Sequence, residues 1–156
     1  MRKHLEFHNK LVEVKISDQA VAQSNKMDKT LIIEIQTYFS CLLGKRLAYY
    51  TDQPLEGAWQ VESEQFALML YEAEQLTDNV YVRFNTVMTK ACSVSDYVGS
   101  PPVTDFTIKN QKPYVPGWLN IDFSNNLWSG NYGWSTSAVS HENTKQVRGQ
   151  AIKRVG

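Results

Sequence analysis

One stretch restricts the fold more than any other. Residues 112–134 read KPYVPGWLNIDFSNNLWSGNYGW and hold three of the chain's four tryptophans. Asn125 and Asn126 sit between two runs that alternate apolar and polar residues. Asparagine tolerates the positive φ that a two-residue hairpin turn demands. With the turn there, Phe123 faces Trp128, Ile121 faces Gly130, Leu119 faces Tyr132 and Gly117 faces Trp134. Side chains of a strand alternate with period two, so all eight residues lie on one face. Asn120 with Asn131, Asp122 with Ser129 and Ser124 with Leu127 occupy the other. Slipping the register by one residue would mix the two sets. The pattern therefore predicts a β-hairpin with one apolar, aromatic face.

Upstream, the same alternation recurs. Val12, Val14 and Ile16 mark one face of a strand over 11–17, and Leu5 and Phe7 have the opposite parity, which predicts a bend or bulge near Asn9-Lys10. Ser17 or Asp18 caps a short helix over 19–26. The run 30–50 fits a helical stripe as well as a strand. Its isoleucine, threonine and aromatic content favours strand, with a turn at Gly44-Lys45 returning a second strand over 46–50. Pro54 to Gly57 is a turn, followed by a short strand over 59–62; Ser63 to Leu76 reads as a helix, although Phe66, Leu68 and Leu70 also alternate. Asn79 to Thr89 is a strand with Val80, Val82, Phe84 and Met88 on one side. A Pro/Gly loop over 93–103 and a strand over 104–109 lead into the hairpin.

A length of 156 residues suits one domain with a proper core. The expectation is an α+β fold: a mostly antiparallel, curved sheet of about six to eight strands with one or two helices packed on one side. Residues 1–134 form the globular domain. Residues 135–156 carry four basic residues, one acidic residue and no aromatic residue, and read as a polar basic tail, exposed or loosely attached.

Sixteen basic residues balance sixteen acidic ones, which removes bulk attraction to nucleic acid or to an anionic membrane. The N-terminus lacks the apolar run of a signal peptide, and no apolar run is long enough to span a bilayer, so a cytoplasmic location is expected. Phosphate-binding glycine loops, H-E-x-x-H and G-x-S-x-G are absent from the sequence, and no cofactor is implied. On a strand, His4 and His8 lie about 13 Å apart at ~3.3 Å per residue, too far to share a metal ion.

Two candidate sites follow. The aromatic face, with its Gly130 gap, could stack a sugar, a base or another flat ligand, although a core role is the commoner fate of such a face. Its ends, Tyr114, Trp118, Tyr132 and Trp134, are the residues placed to reach a pocket rim. They point to a small non-enzymatic binding or interaction protein, with a small molecule or a protein as partner. The other candidate is Cys92, which follows Lys90 at a strand end and opens a loop. A cationic neighbour lowers a thiol's pKa, so Cys92 could serve an enzyme as a nucleophilic or redox thiol.

Overall fold

A computed structural model describes residues 1–39, 43–89, 103–105 and 108–135. It is α+β, with two helices and two mixed sheets that face each other across one core. The smaller sheet has the strand order β1-β2-β9-β10, from Arg2–Phe7, Lys10–Ile16, Trp118–Ser124 and Leu127–Gly133. The larger has the order β5-β4-β3-β7-β6, from Trp59–Gln60, Leu43–Thr51, Leu31–Phe39, Val80–Thr89 and Glu74–Gln75, with β8 (Val103–Asp105) also paired to β7. Two sheets replace the single sheet expected, and they hold more strands. They are mixed because β2 pairs with β9, and β3 with β7, in parallel. Parallel partners are far apart in sequence and carry no turn chemistry to announce them, which is why the alternation alone suggested an antiparallel sheet.

The C-terminal hairpin has the register read from its sequence, from Leu127 opposite Ser124 to Gly133 opposite Trp118. Asn125 and Asn126 take φ of 53° and 62° at its turn. Leu119, Ile121, Trp128 and Tyr132 are buried in the core. A Cβ on Gly130 would lie 2.8 Å from Leu47 of the facing sheet, so the gap in the aromatic face is where Leu47 packs.

The N-terminal bend proves to be a second hairpin. His8 and Asn9 adopt φ of 50° and 62°, and Leu5 lies opposite Val12. The reversal of direction, rather than a bulge, explains the change of parity.

Helix α1 (Asp18–Lys26) starts at Ser17, whose Oγ accepts a hydrogen bond from the Ala20 amide at 3.2 Å. Asn79 Nδ2 donates to the Ser24 and Met27 carbonyls at its far end, both at 2.9 Å, satisfying acceptors that a helix terminus leaves open. Helix α2 (Ser63–Tyr71) is shorter than the sequence suggested, since Glu74-Gln75 pairs with β7 as a strand. Phe66 and Met69 of α2 cover Ile32 on the outer face of the larger sheet. Thus α1 contributes Ala20 to the core between the sheets, whereas α2 lies on the outer face of one sheet. The helices do not share one side.

Strands β3 and β4 pair as expected, but Gly44 and Lys45 are strand residues opposite Tyr38 and Thr37, not a turn. Gly44 serves close approach instead: a Cβ there would sit 2.3 Å from Cζ of the Tyr38 ring. The loop expected over 93–103 lies outside the described residues up to 102.

Candidate functional site

Strand β3 presents Leu31, Ile33 and Ile35 to the core and Ile32, Glu34 and Gln36 to the outer face. The register with its neighbours then builds rows across that outer face. Ile32 lies between Tyr50 and Tyr81, Glu34 between Ala48 and Arg83, and Gln36 between Arg46 and Asn85. Helix α2 covers the first row, which is largely apolar. Beyond the helix the rows are polar, yet Glu34, Gln36 and Arg46 are at most 2% exposed.

Burying such groups is tolerable only when they are paired. Gln36 Nε2 donates to Glu34 Oε1 at 2.6 Å and to the Tyr50 hydroxyl at 3.1 Å. Its Oε1 accepts from Arg46 Nε at 2.9 Å and from Nη2 at 2.6 Å. All four hydrogen-bonding positions of the amide are therefore used, which fixes its orientation. Arg83 bridges Glu34 through Nη1 and Glu72, the C-cap of α2, through Nη2, the latter at 3.1 Å. Asn85 Nδ2 donates to Asp105 of β8 at 2.9 Å.

Burial pushes the Glu34 carboxyl above the usual carboxylate range, against the pull of Arg83 and the Gln36 amide. Burial opposes the charge on Arg83 as well, but Glu34 and Glu72 outweigh it and the guanidinium stays charged. Arg46 is lowered by burial, and the Tyr50 hydroxyl is raised by burial and by the nearby Glu34.

A cavity of about 310 Å³ opens where α2 gives way to these polar rows. Glu34, Gln36, Arg83 and Asn85 form its floor, and Leu68 and Met69 of α2 form a wall with the helix's C-cap, Glu72. Tyr50, Val87 and Asp105 complete the lining with Gln65. Sequence reasoning passed over this site because Glu34 and Gln36 alternate with isoleucines as any half-exposed strand does. Their convergence with Arg83 depends on the parallel β3–β7 register, which no local pattern carries.

The residues the sequence proposed lie elsewhere. Trp118, Tyr132 and Trp134 converge on one ammonium group: Lys45 Nζ is 5.9, 5.1 and 5.7 Å from their ring centroids. It donates to the Tyr132 carbonyl. Tyr114 joins the group through its own carbonyl, which accepts from Trp134 Nε1 at 3.1 Å. Trp118 and Tyr132 are at most 2% exposed, whereas Trp134 is 39% exposed. Each ring attracts the ammonium by about 0.5–2 kcal/mol, whereas taking an ion out of water costs several. Burial wins, and the Lys45 pKa falls to about 8.

Lys45 belongs to a set. Lys3 Nζ donates to the Gln75 carbonyl at 3.0 Å, and Lys10 Nζ donates to the Val115 carbonyl at 2.6 Å. Lys3 lies opposite Val14, Lys10 opposite Phe7 and Lys45 opposite Thr37, so each points to the inner side of its sheet and meets a backbone acceptor at the rim.

Cys41, Cys92 and the basic residues of 136–156 lie outside the described residues. Among the described residues no group of three or more His, Cys, Asp or Glu side chains could hold a metal ion, and no helix is long and apolar enough to cross a membrane. His8 packs its ring edge-on against Phe84 at 5.9 Å. No family model, curated protein or solved structure matches the chain.

Proposed function

We propose that the chain is a non-enzymatic binding protein for a small polar molecule, and that the cavity beside α2 is its site. The observation that supports this most is the cavity floor. Glu34, Gln36 and Arg83 are buried at the base of an open concavity, and their polar groups are preorganised by one another. A buried ion pair seldom adds net stability compared with apolar residues of similar volume, so stability gives no reason for such a floor. Ligand sites typically combine apolar walls with a few fixed polar groups, and Leu68, Met69 and Val87 supply the walls. A volume near 310 Å³ restricts the ligand to a small metabolite.

The test is a metabolite panel screened by thermal shift and by amide chemical-shift changes, repeated on Asn85→Phe to fill the cavity. Binding that is lost in this variant supports the reading. A panel without a hit, or an affinity indifferent to Asn85→Phe, overturns it. Glu34 and Arg83 are poor choices for the test, because removing one partner of a buried pair costs about 3–5 kcal/mol of stability.

A second reading keeps Tyr114, Trp118, Tyr132 and Trp134 as the contact set. The half-open Trp134 supports it, since this ring already flanks an ammonium and offers a face to solvent. A ligand that shifts tryptophan emission in the wild type but not in Trp134→Leu would favour the aromatic site over the polar one.

A further inference from the structure

We propose that the ligand of the polar cavity is a small amine or guanidinium compound with a short aliphatic part, its cation held by Glu72 and Asp105 above the Glu34–Arg83 pair. The proposal rests on the binding reading above and specifies its chemistry. Three carboxyl groups line the cavity, those of Glu34, Glu72 and Asp105, against one guanidinium, that of Arg83. The lining is formally −2 with every group ionised and −1 with Glu34 protonated. The buried Arg46 behind Gln36 offsets one of these negative charges, so a cation is favoured over an anion when Glu34 is ionised.

The carboxylates divide by accessibility. Glu34 is buried with both oxygens engaged, by Gln36 and by Arg83, and has little left to offer a ligand directly. The Glu72 side chain is 62% exposed and only one of its oxygens meets Arg83. Asp105 is exposed and meets Asn85 through one oxygen. These two rim carboxylates come from the C-cap of α2 and from β8, and both retain acceptor capacity for N–H donors. Leu68, Met69 and Val87 give a short alkyl chain apolar contact. Arg83 is nine-tenths buried, lines the cavity and has no partner for its Nε, a buried donor that does not serve a cation, so the cation's contacts fall to the rim carboxylates.

The groups facing Glu34 are Arg83 and Asn85 of β7, Asp105 of β8, Arg46 and Tyr50 of β4 with Gln36 between, and Glu72 across Arg83. A bound cation favours the ionised form of Glu34, whose carboxyl is held above its ordinary range. Binding therefore releases protons at acid pH, and affinity rises with pH until Glu34 is ionised in the free protein.

The full chain is titrated with n-butylamine and methylguanidine, and with 1-butanol and butyrate as matched neutral and anionic probes. Amide shifts are followed in wild type, Asn85→Phe, Glu72→Gln and Asp105→Asn. The cations are expected to bind in the cavity, to weaken by about two- to fivefold in each rim variant, and to weaken again at high salt. Both rim residues are exposed enough for these variants to fold. Butanol or butyrate binding as tightly, with loss in Asn85→Phe, sinks the cation while leaving the site itself standing. Cation binding that neither the rim variants nor Asn85→Phe alter overturns both, as does the absence of binding by every probe and metabolite.

Discussion

Lys45 shows how much a single side chain can oppose its surroundings and still be kept. Its stem follows the inner face of β4 and its ammonium ends among three rings, with a backbone carbonyl as its hydrogen-bonding partner. Because the folded pKa is about 8 and the ordinary lysine value is 10.5, the unfolded chain binds more protons between these limits. Stability therefore rises with pH across that window, and below about pH 8 the full cost of the buried charge is present. Denaturant melts from pH 7 to 10 are expected to show this rise in wild type and to lose it in Lys45→Met, which should be no less stable at pH 7. A wild-type curve that falls where the Lys45→Met curve is flat would refute the assignment. At this scale the sequence is a partial guide. Trp118, Tyr132 and Trp134 are conspicuous by type, and they do meet; the lysine they meet around is not conspicuous at all. Glu34 is equally silent, because a carboxylate between isoleucines looks like the wet side of a strand until its cover is known.

Among the elements, the hairpins are the most predictable because their chemistry is local. Asn125-Asn126 sets the C-terminal register, and the pairs read from the alternation are present from Ser124–Leu127 to Leu119–Tyr132, the ladder ending at Trp118–Gly133 before the expected Gly117–Trp134 pair. The N-terminal turn at His8-Asn9 uses the same left-handed backbone, but histidine in such a turn is a weaker signal than asparagine, so the hairpin reads as a bend. Gly44 misleads for the opposite reason: glycine suggests a turn, yet here it makes room for Tyr38. A two-residue turn with two positive φ values favours Asn-Gly over Asn-Asn. Asn126→Gly is expected to raise stability by up to about 1 kcal/mol, and Asn126→Val to lower it by about 1–2 kcal/mol, measured by chemical denaturation. Equal stabilities for the three proteins would show that the turn does not set the hairpin's strength.

For the molecule as a whole, two of its parallel pairings, those between strands distant in sequence, decide the architecture. Residues 13–16 pair with 118–121, and residues 31–39 with 80–88, so neither sheet is complete until distant segments meet. Nothing in a window of ten or fifteen residues encodes such a meeting, and the division into two sheets was correspondingly illegible. Since one core draws on both sheets and on α1, the sheets should not unfold separately. Far-ultraviolet circular dichroism, which follows the backbone, and near-ultraviolet signals from the buried tryptophans are expected to give coincident denaturation curves. Two separated midpoints would mean that one sheet stands without the other. The smaller sheet ends at β1, where Arg2, Lys3, His4 and Glu6 alternate with or flank the buried Leu5 and Phe7. Lys3 there points inward and is tied to the carbonyls of Gln75 and Leu76. A strand from another molecule that docked along β1 would have to bury its inner residues beside that lysine, a charge with no place in an extended core. The same residue that seals the rim of one molecule thus disfavours the addition of a foreign strand along this one edge.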